Sequence, residues 1–181
     1  LDQYERGMTT AQVKAIFDAH KTPLVSLIAA VGQHEDRVSD AVLHQPFDID
    51  KQRQFALDVV KAYGFDFERG RQDIAVHPFE TSFSRNDVRI TTRFNPTFLN
   101  PALFGMMHEA GHGMYEQGVA PALEGTVLGS GTSLAVHESQ SRMWENIVGR
   151  SKGFWSWALP RLQEVFPEQL GAVDLDTFYK E

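Results

Sequence analysis

The apolar positions near the start of the chain repeat with the spacing of a helix. Val13, Ile16 and Phe17 lie three or four positions apart, so they share one face of a helix that runs toward Val31. Pro23 interrupts this pattern because its ring removes a backbone donor and crowds the preceding turn. The pattern therefore predicts a bent helix or two shorter ones.

Helix-capping residues mark where the first two helices begin. Thr9 or Thr10 can accept a hydrogen bond from the first turn of the first helix. Asp48 or Asp50 can do the same for a second helix, which ends near Gly64.

The pattern changes to alternating β-branched and polar residues in the following segment. Residues 73–76 and 88–94 are rich in strand-forming residues, and residues 84–87 read as a turn between them. These features predict a small antiparallel sheet.

Helical spacing returns after Pro101 and continues to about Gln117. A Gly-rich break separates this helix from another over Thr132–Val148, and Phe154–Val165 is expected to be helical despite an internal proline. The fold class that follows is mainly α with a small antiparallel β-sheet.

Composition excludes several classes of function. Of the 181 residues, 42% are hydrophobic and 23% charged, which is the balance of one globular domain with a core. The net charge of −7 disfavours nucleic acid and anionic membrane surfaces as partners. Because there is no cysteine, a metal would have to be held by His, Asp or Glu. The missing cysteines and the lack of a signal-peptide pattern favour a cytoplasmic location.

The most informative segment is HEAGH, from His108 to His112. Residues four apart lie on the same face of a helix, about 6 Å apart along its axis, so both imidazoles can bind one Zn²⁺. Glu109 lies beside the first histidine, where its carboxylate can act as a general base on water activated by the metal. Gly111 and Gly113 are poor helix formers, which indicates that another group approaches the helix backbone closely. The alternative interpretation is that both histidines are polar residues on an exposed face.

A catalytic zinc site needs a third protein ligand and an open position. Glu138 on the next helix is the favoured candidate, because a second helix packed against the first can complete a His₂Glu site. Glu116, Glu124 and His137 are the rival candidates. Glu138 could instead form only a surface ion pair with Arg142, four residues later.

Four short motifs make the chain resemble the M32 metallocarboxypeptidases, the carboxypeptidase Taq family. They are the HPF motif at His77–Phe79, DxRxT at Asp87–Thr91, HExxH at His108–His112 and HES-Q at His137–Gln140. The order and spacing of these motifs match the family, and the resemblance implies that the glutamate of the last motif, Glu138, is the third zinc ligand.

The resemblance implies a largely helical fold with a deep groove and a homodimer in many members. It also implies release of C-terminal amino acids from peptides, with zinc as the metal and cobalt as a frequent substitute. The family's two later motifs, IRxxAD and GxxQDxHW, do not occur here, and the first supplies an arginine thought to hold the substrate's terminal carboxylate. Residues 1–181 are therefore expected to be the central part of a larger M32-like catalytic domain.

Three other motif residues, His77, Asp87 and Arg89, have structural interpretations as well. His77 could form part of the active-site wall or donate a structural hydrogen bond before the sheet. Asp87 and Arg89 are expected to pair and hold the hairpin against the HExxH helix, because residues two apart on a strand share one face.

Two other functions fit the same residues. An endopeptidase of the gluzincin type would use the same metal site without a carboxylate anchor. A zinc-binding but inactive fragment, serving as an assembly module, is the other.

Overall fold

A computed structural model describes residues 1–2 and 4–180, apart from the side chain of Asp36. Gln3 and Glu181, which fall within the expected domain, lie outside the described residues. The helices are α1 (Thr10–Gly32), α2 (Ile49–Tyr63), α3 (Asn100–Gln117), α4 (Leu134–Arg142), α5 (Lys152–Val165), α6 (Pro167–Leu170) and α7 (Leu175–Tyr179). The strands are β1 (Gly70–Ile74), β2 (Glu80–Ser84) and β3 (Asp87–Thr92).

The helix starts follow the capping residues that the sequence offers. The Thr9 side chain accepts a hydrogen bond from the amide of Gln12 at the start of α1. The Asp48 side chain accepts one from the amide of Lys51, and α2 ends at Gly64, whose φ of 114° favours glycine. Pro23 lies inside α1, so this segment is one helix rather than two.

The sheet is mixed, which corrects the expectation of a purely antiparallel one. Its strand order is β1-β3-β2, with β1 parallel and β2 antiparallel to β3. The turn at residues 84–87 does form a hairpin, but it joins β3 to β2 rather than to the segment around residue 73. Strand β2 was not predicted because its polar residues lack the apolar alternation of a half-buried strand.

Helix α3 is the central element of the molecule. It packs against α2, α4 and strands β2 and β3, and Met106, Met107 and Ala110 are fully buried. Val88 and Ile90 of β3 are also fully buried, and both lie beside Gly113 of α3. A Cβ on Gly113 would lie 2.7 Å from the ring of Phe65, so glycine allows this close packing of helix and sheet.

Helix α4 continues directly into a π-helical segment, Met143–Val148. The continuous helical region therefore covers most of the predicted Thr132–Val148 helix. Among the helices that the structure describes, none combines the length and apolar character needed to cross a membrane.

Candidate metal centre

The site lies where α4 packs against the middle of α3. Gly111 permits this approach, because a Cβ there would lie 2.6 Å from the Cα of Ser141 and 2.8 Å from the carbonyl oxygen of Gln140. Gly111 is a poor helix former, and its position indicated that another group approaches the helix backbone closely. The backbone of α4 is that group. Close contact of the two backbones brings Glu138 of α4 beside His108 and His112 of α3.

Three side-chain atoms from the two helices converge on one point. The Nε2 atoms of His108 and His112 are 3.3 Å apart, and Oε2 of Glu138 lies 3.6 Å from the first and 3.5 Å from the second. In a tetrahedral site with bonds of about 2.0–2.1 Å, neighbouring ligand atoms are separated by about 3.3–3.4 Å. The three atoms therefore fit three corners of a tetrahedral zinc site without rearrangement.

The two oxygens of Glu138 have different partners. Oε1 accepts a hydrogen bond from Nε of Arg142 at 2.8 Å, while Oε2 is the oxygen next to the imidazoles. The ion pair considered for this residue is therefore present, and the same carboxylate keeps its second oxygen beside the imidazoles. Of the rivals, Glu116 and His137 lie behind His112, and Glu124 lies in an exposed loop outside the cluster of three.

The remaining nitrogens of the two imidazoles face protein groups. Nδ1 of His108 lies 2.9 Å from Oε2 of Glu145. Nδ1 of His112 lies 2.7 Å from Nδ1 of His137, whose Nε2 lies 2.7 Å from Oε1 of Glu116. Burial, followed by the neighbouring His137 and His108, lowers the pKa of His112 to about 4. His112 is therefore neutral near pH 7, which is the form that binds a metal.

Glu109 is 7% exposed and lies in the same cleft as His112 and Glu138. Burial, reinforced by the charges of Glu80, Glu138 and Glu145, raises the pKa of Glu109 to about 7. A carboxyl group with that pKa can both accept and release a proton near neutral pH.

The cleft is an open cavity of about 500 Å³. It is bounded by the start of β2, by α3 and by α4, and its lining residues are Tyr4, Pro78, Phe79, Glu80, Glu109, His112, Leu134, His137 and Glu138. Its volume falls within the range of about 300–1,000 Å³ that is typical of ligand sites.

Only two of the three residues of the HPF motif line this cleft. Pro78 and Phe79 line the cavity, whereas His77 is absent from its described lining. The exposed His77 side chain instead lies with Nδ1 2.7 Å from the carbonyl oxygen of Pro78, which matches the structural alternative.

Asp87 and Arg89 pair as expected but do not hold the hairpin against α3. Arg89 donates two hydrogen bonds to Asp87, at 2.8 and 2.9 Å. Successive side chains on a strand point to opposite faces, so the contact with α3 is made by Val88 and Ile90. The pair therefore lies on the face of β3 away from the metal centre.

Two carboxylates near the site were not identified by the sequence patterns. Glu145 lies seven residues after Glu138, a spacing that returns to nearly the same helix face, and this was its only signal. Glu80 lies in the unpredicted strand β2, and its Oε1 is buried with no hydrogen-bond partner in the described part of the chain.

Comparison with known proteins identifies the family. The model of the carboxypeptidase Taq (M32) metallopeptidases matches residues 1–181. "Thermostable carboxypeptidase 1" of Thermus thermophilus is 45% identical over 99% of the chain, and "Carboxypeptidase 1" of Bacillus subtilis is 37% identical over 99%. The chain spans about 35% of the length of these curated relatives.

A solved structure shows the same arrangement of the backbone. The M32 carboxypeptidase of Deinococcus radiodurans superimposes with a TM-score of 0.93 at 43% identity, over 99% of this chain and 36% of that one. The matches in sequence and backbone cover the four motifs, the two helices of the metal centre and the sheet. This chain therefore belongs to the carboxypeptidase Taq (M32) family of metallopeptidases.

Proposed function

We propose that this chain carries the metal centre of a carboxypeptidase that releases C-terminal amino acids from peptides. The observation that carries the proposal is the convergence of His108, His112 and Glu138 at the edge lengths of a tetrahedron. Membership of the family, and the carboxypeptidase names of its relatives, support peptides as the substrate class.

Zinc is the proposed metal, because two imidazoles and one carboxylate form a common ligand set of catalytic zinc sites. Co²⁺ accepts the same ligands and is expected to substitute. When bound, such an ion supplies a Lewis acid that polarises a carbonyl group and acidifies water.

Glu109 is proposed as the general base. With a pKa raised to about 7 by burial, it can take a proton from the attacking water and pass it to the amine of the leaving amino acid. The water oxygen forms a bond to the scissile carbonyl carbon, and the carbon–nitrogen bond breaks as the amine receives the proton. A dication beside Glu109 would favour its charged form and so lower this pKa.

The test compares two peptides in a full-length M32 enzyme that carries these 181 residues. A peptide with a free C-terminal carboxylate should be cleaved, and the same peptide with a C-terminal amide should resist cleavage. Equal rates on the two would instead favour a gluzincin-type endopeptidase.

Glu109→Gln supplies the matched variant, since it preserves shape and removes the base. It should keep bound zinc and lose about 10²–10⁴-fold in turnover. Turnover within a factor of ten of the parent enzyme would refute the role of Glu109. Zinc binding without hydrolysis in the parent enzyme would favour the inactive assembly module.

Two further properties follow from the family resemblance and are proposed for the whole protein. One is a homodimer, and the other is a cytoplasmic location, with which the lack of cysteine accords.

A further inference from the structure

Each imidazole at the proposed metal centre is held by hydrogen bonds at the nitrogen that points away from the centre. Which ring nitrogen of a neutral histidine carries the proton is set by the hydrogen bond that the other nitrogen makes. The partners of the two Nδ1 atoms therefore determine whether each Nε2 offers a lone pair or a proton.

The partner of His108 is a fixed carboxylate. Glu145 has a side chain only 14% exposed, and Oε1 accepts a hydrogen bond from Arg150 at 3.3 Å while Oε2 faces Nδ1 of His108 at 2.9 Å. A carboxylate can only accept, so Nδ1 of His108 carries the proton and Nε2 is free. Glu145 lies in the π-helical segment after α4, a geometry that is frequent at functional sites.

The partner of His112 is a chain of two groups that also ends on a carboxylate. Glu116, whose side chain is 8% exposed, accepts from the amide of Gly131 at 3.0 Å and lies 2.7 Å from Nε2 of His137. Nε2 of a neutral His137 thus donates to Glu116, and its Nδ1 accepts from Nδ1 of His112 at 2.7 Å. Nε2 of His112 is then free as well.

We infer that Glu145 and the Glu116–His137 pair are positioning residues that hold both imidazoles as Nδ1–H tautomers, with Nε2 toward the metal. This inference rests on the proposed function, because it takes His108 and His112 as metal ligands. Groups that orient metal-binding histidines in this way typically change metal affinity by about 10–100-fold when they are removed.

The first test measures tautomers in the metal-free protein by long-range ¹H–¹⁵N NMR at pH 8. His108 and His112 should both carry the proton on Nδ1. Glu145→Ala should change the pattern of His108 alone, and Glu116→Ala that of His112 alone. A proton on Nε2 of either histidine in the parent protein would overturn the inference for that histidine. A doubly protonated His137 would produce this result at His112, because its Nδ1 would donate to Nδ1 of His112.

The second test measures Zn²⁺ affinity by competition with a chelator at the same pH. Glu145→Ala and Glu116→Ala should each weaken affinity by about 10–100-fold, and the corresponding Gln variants, which keep an acceptor oxygen, should lose less. The matched control is Glu164→Ala, an exposed carboxylate on α5, which should change nothing.

Further variants separate this inference from the proposed function. If His108→Ala abolishes zinc binding while Glu145→Ala and Glu116→Ala leave affinity and tautomers unchanged, the ligand assignment stands and the positioning role is refuted. If the parent protein binds no zinc, the proposed function fails, and the tautomer pattern still decides the orientation of the imidazoles. If circular dichroism shows that an Ala variant does not fold, the zinc affinity of its Gln counterpart and the tautomers of the parent protein decide whether the positioning role holds.

Discussion

At the scale of single residues, Glu138 links two kinds of interaction. One oxygen accepts from Arg142 and the other lies almost equally far from the two Nε2 atoms. The exposed contact with Arg142 contributes little to stability, about 0.3–0.5 kcal/mol, so the position of the second oxygen is the more consequential feature.

Glu138→Gln should weaken Zn²⁺ binding by more than about 100-fold, since a neutral amide is a poor zinc ligand and even supporting residues are worth 10–100-fold. Arg142→Gln is the matched control, because it removes the ion pair and leaves the carboxylate, and its effect should stay below about tenfold. Metal analysis that finds full zinc occupancy in Glu138→Gln would contradict the ligand assignment.

Glu80 should make stability depend on pH. Burial, with the charge of Glu116, raises its pKa from 4.5 to about 7. The unfolded chain therefore releases this proton at lower pH than the folded protein, so the free energy of unfolding falls as pH rises from about 4.5 to 7 and is level above that. Glu80→Gln should remove this fall. The stability of the variant relative to the parent protein should therefore be about 2 kcal/mol more favourable at pH 8 than at pH 5, after allowance for the partly solvated side chain.

Urea unfolding of the metal-free protein at the two pH values measures this difference. The Gln variant keeps the size of the side chain, so a shift in stability that is equal at pH 5 and pH 8 would indicate altered packing and not the titration of Glu80.

At the scale of elements, the contact between α3 and α4 determines the geometry of the metal centre. The two helices approach at Gly111 and Ser141, closely enough that a single methyl group has no space. The distance between Glu138 and the two histidines depends on this contact.

Gly111→Ala should destabilise the protein by about 1–3 kcal/mol although alanine is the better helix former, because its Cβ would meet the backbone of α4. It should also weaken zinc binding by moving Glu138 away. Gly153→Ala in α5 is the control, since the nearest atom to its Cβ is 3.8 Å away and no loss is expected. Denaturant unfolding and chelator competition measure the two effects, and unchanged zinc affinity in Gly111→Ala would show that α4 is positioned by other contacts.

At the scale of the whole molecule, α1 exposes a large apolar surface to solvent. Helix α1 has no buried residue in the structure, and Phe17, Leu27, Ile28 and Val31 are each more than 60% exposed. The chain also spans only about 35% of the length of its curated relatives.

The isolated 181-residue chain should bind zinc but hydrolyse peptides poorly. Binding energy from parts of the substrate remote from the scissile bond places that bond for attack, so loss of a carboxylate anchor lowers turnover as well as affinity. Release of C-terminal amino acids should be compared with that of Bacillus subtilis Carboxypeptidase 1 on equal moles of bound zinc. Comparable rates would place the anchor within this chain.

The isolated chain should also self-associate through α1, because exposed contiguous apolar surface favours association. Sedimentation velocity should show a mass that rises with concentration. The double variant Phe17→Glu and Ile28→Glu should suppress this rise, whereas Lys14→Glu and Lys21→Glu on the same helix should not. Equal association of both variants would show that the contact lies outside α1.

Short-range patterns in the sequence predicted the five longest helices and the pair of histidines in the proposed metal centre. Caps and stops act within one helical turn, so sequence alone limited the first two caps to Thr9 or Thr10 and to Asp48 or Asp50, and it predicted the stop near Gly64. The two histidines of HEAGH are neighbours on any regular helix, which is why their pairing needed no further information.

Contacts between distant segments decided the rest. Which carboxylate lies beside the imidazoles, and that Glu145 and Glu116 stand behind them, depends on how α4 packs against Gly111. Strands β1 and β3 are parallel because β2 lies between them in the sequence and pairs at the edge of the sheet beyond β3. No local pattern in the sequence marked β2 as a strand. Such arrangements are set by the packing of whole elements in the core, and the sequence spacing of any one element leaves them open.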